Sequence, residues 1–99
     1  MSKELNIELD ETLAEGVHTN LTVIAHSPAE FVLDFIRLLP GTNKGRVKSR
    51  IVLTPEQTKR LMVSLEENVR RYESTFGEIK VIPTESELQV MSFGSKAES

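Results

Sequence analysis

The chain contains no cysteine. That absence excludes disulfide bonds, thiolate metal sites and cysteine nucleophiles, and it agrees with a reducing compartment. No run approaches the ~18 apolar residues of a membrane-spanning helix. No apolar stretch follows Lys3 as it would in a secretory signal peptide. We therefore expect a cytoplasmic protein with no membrane partner.

Sequence motifs typical of enzyme active sites are also absent. The sequence has no glycine-rich phosphate loop, no cluster of metal ligands and no Ser/His/Asp arrangement. Its two histidines, His18 and His26, would lie about 26 Å apart on one strand, too far to share a metal within a chain. Ser27 before Pro28 has the character of a turn residue. We predict no enzyme activity, no catalytic residue, no metal and no cofactor.

Length and composition indicate one small globular domain. The chain has 99 residues, of which 38% are hydrophobic and 27% charged. A domain of this size buries only about 60–65% of its unfolded surface, so dimerisation is a natural supplement. A net charge of −3 disfavours nonspecific nucleic-acid binding. We expect a single domain over residues 1–83 and a flexible polar tail over residues 84–99.

Alternation of apolar and polar residues predicts several short strands, separated by polar or glycine-rich loops. The predicted strands are residues 5–9, 17–26, 46–53 and, as an option, 78–82, with loops at 10–16 and 40–45.

Residues 30–39 fit two structures. Ser27 and Glu30 have the spacing of a helix capping box. Phe31, Leu33 and Phe35 alternate as in a strand. We favour the strand, because a strand precedes it and three residues suffice to turn a hairpin.

A long helix is predicted over residues 55–76. Thr54 and Pro55 form a strong helix start, as N-cap and first residue, and Gly77 is a suitable stop. Between them runs one apolar stripe: Leu61, Leu65, Val69, Tyr72 and Phe76. The expected fold class is therefore α+β, an antiparallel meander of three to five strands followed by one long helix packed on one face.

The strand over residues 31–39 is apolar on both sides. Phe31, Leu33 and Phe35 form one side, and the other carries Val32, Ile36 and Leu38. One helix covers only one face of a sheet, so the second face should meet another subunit, another protein or the C-terminal tail. We expect a homo-oligomer, a C2 dimer first, with Val32, Ile36 and Leu38 as the self-association or partner face.

Charged residues suggest a second surface and one ion pair. Lys44, Arg46, Lys48 and Arg50 are predicted to share one face of the third strand, where phosphates or an acidic protein could bind. No aromatic residues interleave with them, so nucleic acid is not favoured as a partner. Asp34, inside an apolar strand, predicts a salt bridge to Arg37, Arg50 or another cross-strand base.

Three blocks of sequence carry a resemblance: HSPAEFVLDF (26–35), RIVLTP (50–55) and LEENVRRYESTFG (65–77). Together they resemble a family of short, uncharacterised bacterial and archaeal proteins catalogued as a domain of unknown function. The resemblance implies a β-meander followed by one long helix and brings no catalytic residues. The order of elements is also similar to the layout of bacterial preprotein-export chaperones, a likeness of fold alone.

Two functions are thus expected from the sequence. The first is a non-enzymatic oligomeric protein that binds a peptide or protein. The alternative is a nucleic-acid-associated protein that uses the basic strand over residues 44–50.

Overall fold

Three antiparallel strands and one long helix make up most of the fold. The computed structural model describes residues 4–82. Its strands form one sheet in the order β1-β2-β3, which confirms the predicted α+β meander followed by a helix. The predicted tail over residues 84–99 lies outside the described residues. The elements are α1 (Glu11–Ala14), β1 (Leu21–His26), β2 (Phe31–Leu38), β3 (Gly45–Leu53) and α2 (Pro55–Phe76).

The β1–β2 turn resolves the ambiguity at residues 30–39 in favour of a strand. The backbone N–H of Ser27 donates to the carbonyl of Glu30 at 2.9 Å. The hydroxyl of Ser27 accepts from the N–H of Ala29 at 3.3 Å. The Ser27–Glu30 spacing therefore closes a hairpin turn, and Pro28 fits the turn because its ring presets the backbone.

Asn20 extends the β1–β2 ladder with its side chain. Its amide oxygen accepts from the N–H of Leu38 at 2.8 Å, and its amide nitrogen donates to the carbonyl of Leu38 at 3.3 Å. The side chain thus takes the place of one more backbone pair, and β1 begins only at Leu21. The prediction of a strand from residue 17 was too long, so His18 does not lie on the strand that carries His26.

Two predicted strands are absent from the described part of the chain. Residues 5–9 and 78–82 form no ladder, because alternation makes a segment suitable for a sheet but does not supply a neighbouring strand. The predicted loop at residues 10–16 contains the short helix α1. Asp10 caps that helix by accepting from the N–H of Thr12 at 3.0 Å.

One residue, Thr54, separates the end of β3 from the start of α2. The hydroxyl oxygen of Thr54 accepts from the N–H of Gln57 at 3.1 Å, and its carbonyl accepts from the N–H of Thr58 at 2.9 Å. Pro55 occupies the first helical position, where no N–H is needed. At the other end Gly77 has a positive φ of 98°, which glycine adopts without the strain that a Cβ would bring. The predicted bounds of the helix are confirmed.

The helix does not cover its own sheet. No residue of α2 is buried, and extensive contact between described elements is confined to the strand pairs β1–β2 and β2–β3. Leu65 is 59% exposed and Phe76 is 73% exposed. Packing on one face was expected, but a single capped residue between β3 and α2 leaves no loop in which the chain could turn back.

The cap at Thr54 gives a first prediction. Replacing Thr54 with Ala removes the acceptor for the Gln57 N–H, so the free energy of unfolding should fall by about 1 kcal/mol. Urea unfolding monitored by helical circular dichroism measures the change. Thr54→Asp keeps an acceptor and serves as the matched control. Equal losses in both variants would contradict a capping role.

Candidate interaction surface

The register of the strands sorts the side chains of the sheet onto two faces. Val32, Asp34, Ile36 and Leu38 alternate along β2 and point to one side, here called the Asp34 face. The residues between them point to the other side, here called the Leu33 face. Directly paired residues in an antiparallel sheet share a face, so the pairing assigns β1 and β3 as well.

The predicted residues Val32, Ile36 and Leu38 do lie together on the Asp34 face, and all three are half-buried. Their cross-strand neighbours are also apolar, apart from Gly45 at one end: Leu21, Ala25, Gly45, Val47 and Val52. Val47 is 49% exposed and Val52 is 53% exposed. This face is therefore a contiguous apolar surface that no other described element covers.

The Leu33 face is apolar too. Leu33 is the one hydrophobic residue buried within the described chain, at 6% exposure, and it is paired with Ile24 on β1 and Ile51 on β3. Both neighbours remain exposed. One uncovered face was expected from the sequence, whereas residues 4–82 leave both faces of the sheet open.

An ion pair crosses the centre of the Asp34 face. The guanidinium of Arg50 donates twice to the carboxylate of Asp34, from Nε at 2.7 Å and from Nη2 at 2.8 Å. The Asp34 side chain is 16% exposed and the Arg50 side chain 64%. The hydrogen bonds from Arg50 lower the pKa of Asp34, and those bonds also raise the pKa of Arg50. The predicted salt bridge is thus confirmed, with Arg50 as the partner.

A β-bulge interrupts β3 beside this pair. Phe35 is paired with Ser49, but the next residue, Ile36, is paired with Val47. Lys48 is therefore an extra residue without a partner on β2. The alternation of the sequence is regular at this point, so no pattern in it could have signalled the bulge.

The bulge divides the basic residues of β3. Arg50 is paired with Asp34 and lies on the Asp34 face, whereas Arg46 is paired with Arg37 and lies on the Leu33 face. Lys44 precedes the strand. The prediction that Lys44, Arg46, Lys48 and Arg50 share one face was therefore wrong, because one inserted residue reverses the alternation.

Gly45 shapes the end of the Asp34 face, although the sequence predicts only a loop there. A Cβ at this position would lie 3.0 Å from Ile36 Cγ2 and 3.0 Å from Leu38 Cδ2. Glycine therefore lets the side chains of β2 close over the start of β3.

The histidines are placed apart from the ion pair. His26 packs its ring against Phe31, with centroids 5.4 Å apart. It also lines a small hollow with Ala25, Ser27, Glu30 and Val32. Asp34 does not line that hollow, so His26 and Asp34 form no acid–base pair there.

Two findings concern the described part of the chain as a whole. Within residues 4–82, no three His, Asp or Glu side chains are close enough to hold a metal ion. Over the same residues, no helix has both the length and the apolar character needed to cross a membrane.

Comparison with known proteins finds one family. The family model described as "Protein of unknown function (DUF3467)" matches residues 1–81. No curated protein and no solved structure matches the chain. The likeness to the layout of preprotein-export chaperones therefore rests on the order of elements alone.

The ion pair predicts a pH dependence of stability. The pKa of Asp34 is lower in the folded chain than the ordinary value of about 3.9. Its contribution is therefore complete above about pH 5 and is lost as the pH falls through the lowered pKa. Wild type should exceed Asp34→Asn in stability by a constant amount from pH 7 to about pH 5, and by less below pH 4. Urea midpoints across this range measure the difference.

A second pair of variants isolates the cause of this effect. In an Arg50→Gln background the carboxylate has lost its donors, so Asp34→Asn should no longer alter the pH dependence. A stability difference between wild type and Asp34→Asn that stays constant down to pH 3 would contradict the assignment of the pH dependence to the Asp34–Arg50 pair.

Proposed function

The chain belongs to this family of proteins of unknown function, and from its own geometry we propose that it is a non-enzymatic protein that acts by binding protein chains, a second copy of itself first. The observation that carries this proposal is the exposure of three apolar surfaces. They are the two faces of the sheet and the stripe of α2.

The exposure of large apolar side chains within residues 4–82 supports an interface. On the sheet, Val47 is 49% exposed, Val52 is 53% exposed and Ile24 is 59% exposed. On α2, Leu65 is 59% exposed and Phe76 is 73% exposed. Contiguous apolar surface of this kind marks protein–protein interaction sites.

The stability of the elements supports the same proposal. Isolated helices are marginal in water, and most helical stability in proteins comes from packing of the apolar face. A small sheet likewise needs a covered hydrophobic face. The long α2 buries no residue, and the described sheet buries only Leu33. Another molecule that covers these surfaces would provide the missing packing.

Within the sheet, we assign protein binding to the Asp34 face. Its half-buried centre is formed by Val32, Ile36 and Leu38, and the more exposed Val47 and Val52 lie on β3 beside them. The single carboxylate there is already paired with Arg50, so covering it leaves no unpaired charge behind. An apolar segment of another protein, or the same face of a second copy, suits this surface.

The alternative function, nucleic-acid binding through residues 44–50, is not part of this proposal. The bulge separates Arg46 from Arg50, and Arg50 is engaged by Asp34. Phosphate binding along a strand needs several free basic groups on one side. A mobility-shift assay at low salt with a generic duplex should therefore give no salt-sensitive shift.

Light scattering coupled to size exclusion tests the proposal. Wild type, run over a range of concentrations, should elute as a stable oligomer. Val47→Glu and Ile36→Glu place a charge on the Asp34 face, so each should shift the oligomer toward smaller species or weaken its binding of protein partners. Asn43→Glu, in the exposed β2–β3 loop, is the control and should behave as wild type.

Two results decide against the proposal. One is a wild type that stays monomeric and cooperatively folded at all concentrations, with no binding of extended apolar peptides in a polarisation assay. The other is an oligomer and a peptide affinity that both remain unchanged in Ile36→Glu and Val47→Glu. Val47 is already half-exposed in the single chain, so Val47→Glu tests the surface even if Ile36→Glu unfolds.

A further inference from the structure

The stripe of α2 has an internal symmetry that points to its partner. We propose that α2 packs against α2 of a second copy, antiparallel, with the twofold axis between Asn68 and Val69. This pairing rests on the proposed function and deepens it, because it names one surface through which a second copy binds.

The joint between β3 and α2 keeps the stripe away from the chain's own sheet. Only Thr54 separates the last residue of β3 from the first residue of α2. Its backbone is set by its own capping bonds and by the ring of Pro55. Folding α2 back onto its own sheet would break this cap, whereas a second helix can reach the stripe with the joint intact.

The positions of the apolar residues agree with an antiparallel pair. Leu61 and Phe76 lie equally far from the midpoint between Asn68 and Val69, and so do Leu65 and Tyr72. Reversing a second helix about that point brings each aromatic residue against a leucine. The aromatic end is already ordered, with the Tyr72 and Phe76 rings 4.9 Å apart. A parallel pair would instead set the bulky aromatic ends against each other and leave the leucine ends underfilled.

The charges beside the stripe agree as well. Glu66 precedes the midpoint and Arg70 follows it, and the two lie on the same side of the stripe, one turn apart, with a 2.6 Å ion pair. In an antiparallel pair the same sides of the two helices meet, so each Glu66 lies within about one residue of the level of Arg70 on the other helix. In a parallel pair the opposite sides meet, so this contact is absent.

The lack of cysteine makes single-cysteine crosslinking a direct test on the full chain. Packed helices have axes 8–10 Å apart, so facing Cα atoms at the twofold axis come within about 4–6 Å, the range of a disulfide. Val69→Cys should therefore form a disulfide dimer under mild oxidation. Leu61→Cys should not, because the two copies of residue 61 would lie about 22 Å apart along the axis.

A mixture of two variants tests the antiparallel direction. Leu61→Cys mixed with Phe76→Cys should give a crosslinked heterodimer, although neither variant crosslinks alone. Glu67→Cys, on the outward side of α2, is the control and should stay uncrosslinked. Asn68→Cys, also beside the axis, is a second reporter in case Val69→Cys perturbs folding.

The outcomes separate this pairing from other arrangements. Crosslinking of Leu61→Cys and Phe76→Cys each on its own would mean parallel helices and would overturn the inference. The protein could still be an oligomer by light scattering while neither Asn68→Cys nor Val69→Cys crosslinks. That result would mean that another surface, such as the sheet of the second copy, meets the stripe. That result overturns the helix pairing but leaves the proposed function standing, whereas a monomer with no peptide binding overturns both.

Discussion

The rest of the structure depends on the single residue between β3 and α2. Thr54 ends a strand and caps a helix at once, and Pro55 fixes the backbone that follows. Most α+β proteins place a loop at such a junction, and the loop lets the helix return to the sheet. Here α2 is held away from the sheet, so neither element covers the apolar side chains of the other. The apolar stripe of α2 and both faces of the sheet are exposed for that one geometric reason.

Within the sheet, the Asp34–Arg50 ion pair lies among apolar side chains. The two hydrogen bonds satisfy a carboxylate that is mostly shielded from water, while the more exposed Arg50 keeps contact with solvent. Apolar cross-strand pairs flank the ion pair on both sides, Val32 with Val52 and Ile36 with Val47. The ion pair is therefore a polar feature on an otherwise apolar surface, and a molecule that bound there would have to accommodate its position.

The sequence was most informative where local chemistry decides the structure. The bounds of α2 follow from the cap at Thr54, the ring of Pro55 and the backbone freedom of Gly77, and all three act over a few residues. The grouping of Val32, Ile36 and Leu38 followed from strand periodicity, and the salt bridge of Asp34 from the cost of leaving a charge unpaired.

Prediction failed where structure depends on what lies opposite. The unpaired segment at residues 5–9 alternates as well as β3 does, but a ladder needs a neighbour that no period of one strand can reveal. Asn20 acts as a ladder residue only because Leu38 lies across from it. The bulge at Lys48 likewise arises from the pairing of two strands. Without it, regular alternation places the four basic residues on one face.

That bulge also makes the two edges of the sheet unequal. A three-stranded sheet ends in two strands with free backbone groups, and such edges can recruit further strands without limit. On β3 the extra residue interrupts the regular spacing of those groups and places a lysine at the same point, two features that discourage edge pairing. The outer edge of β1 has a regular ladder behind it and neither of these features. The regularly spaced free backbone groups therefore lie along β1, and the edge of β3 is the protected one.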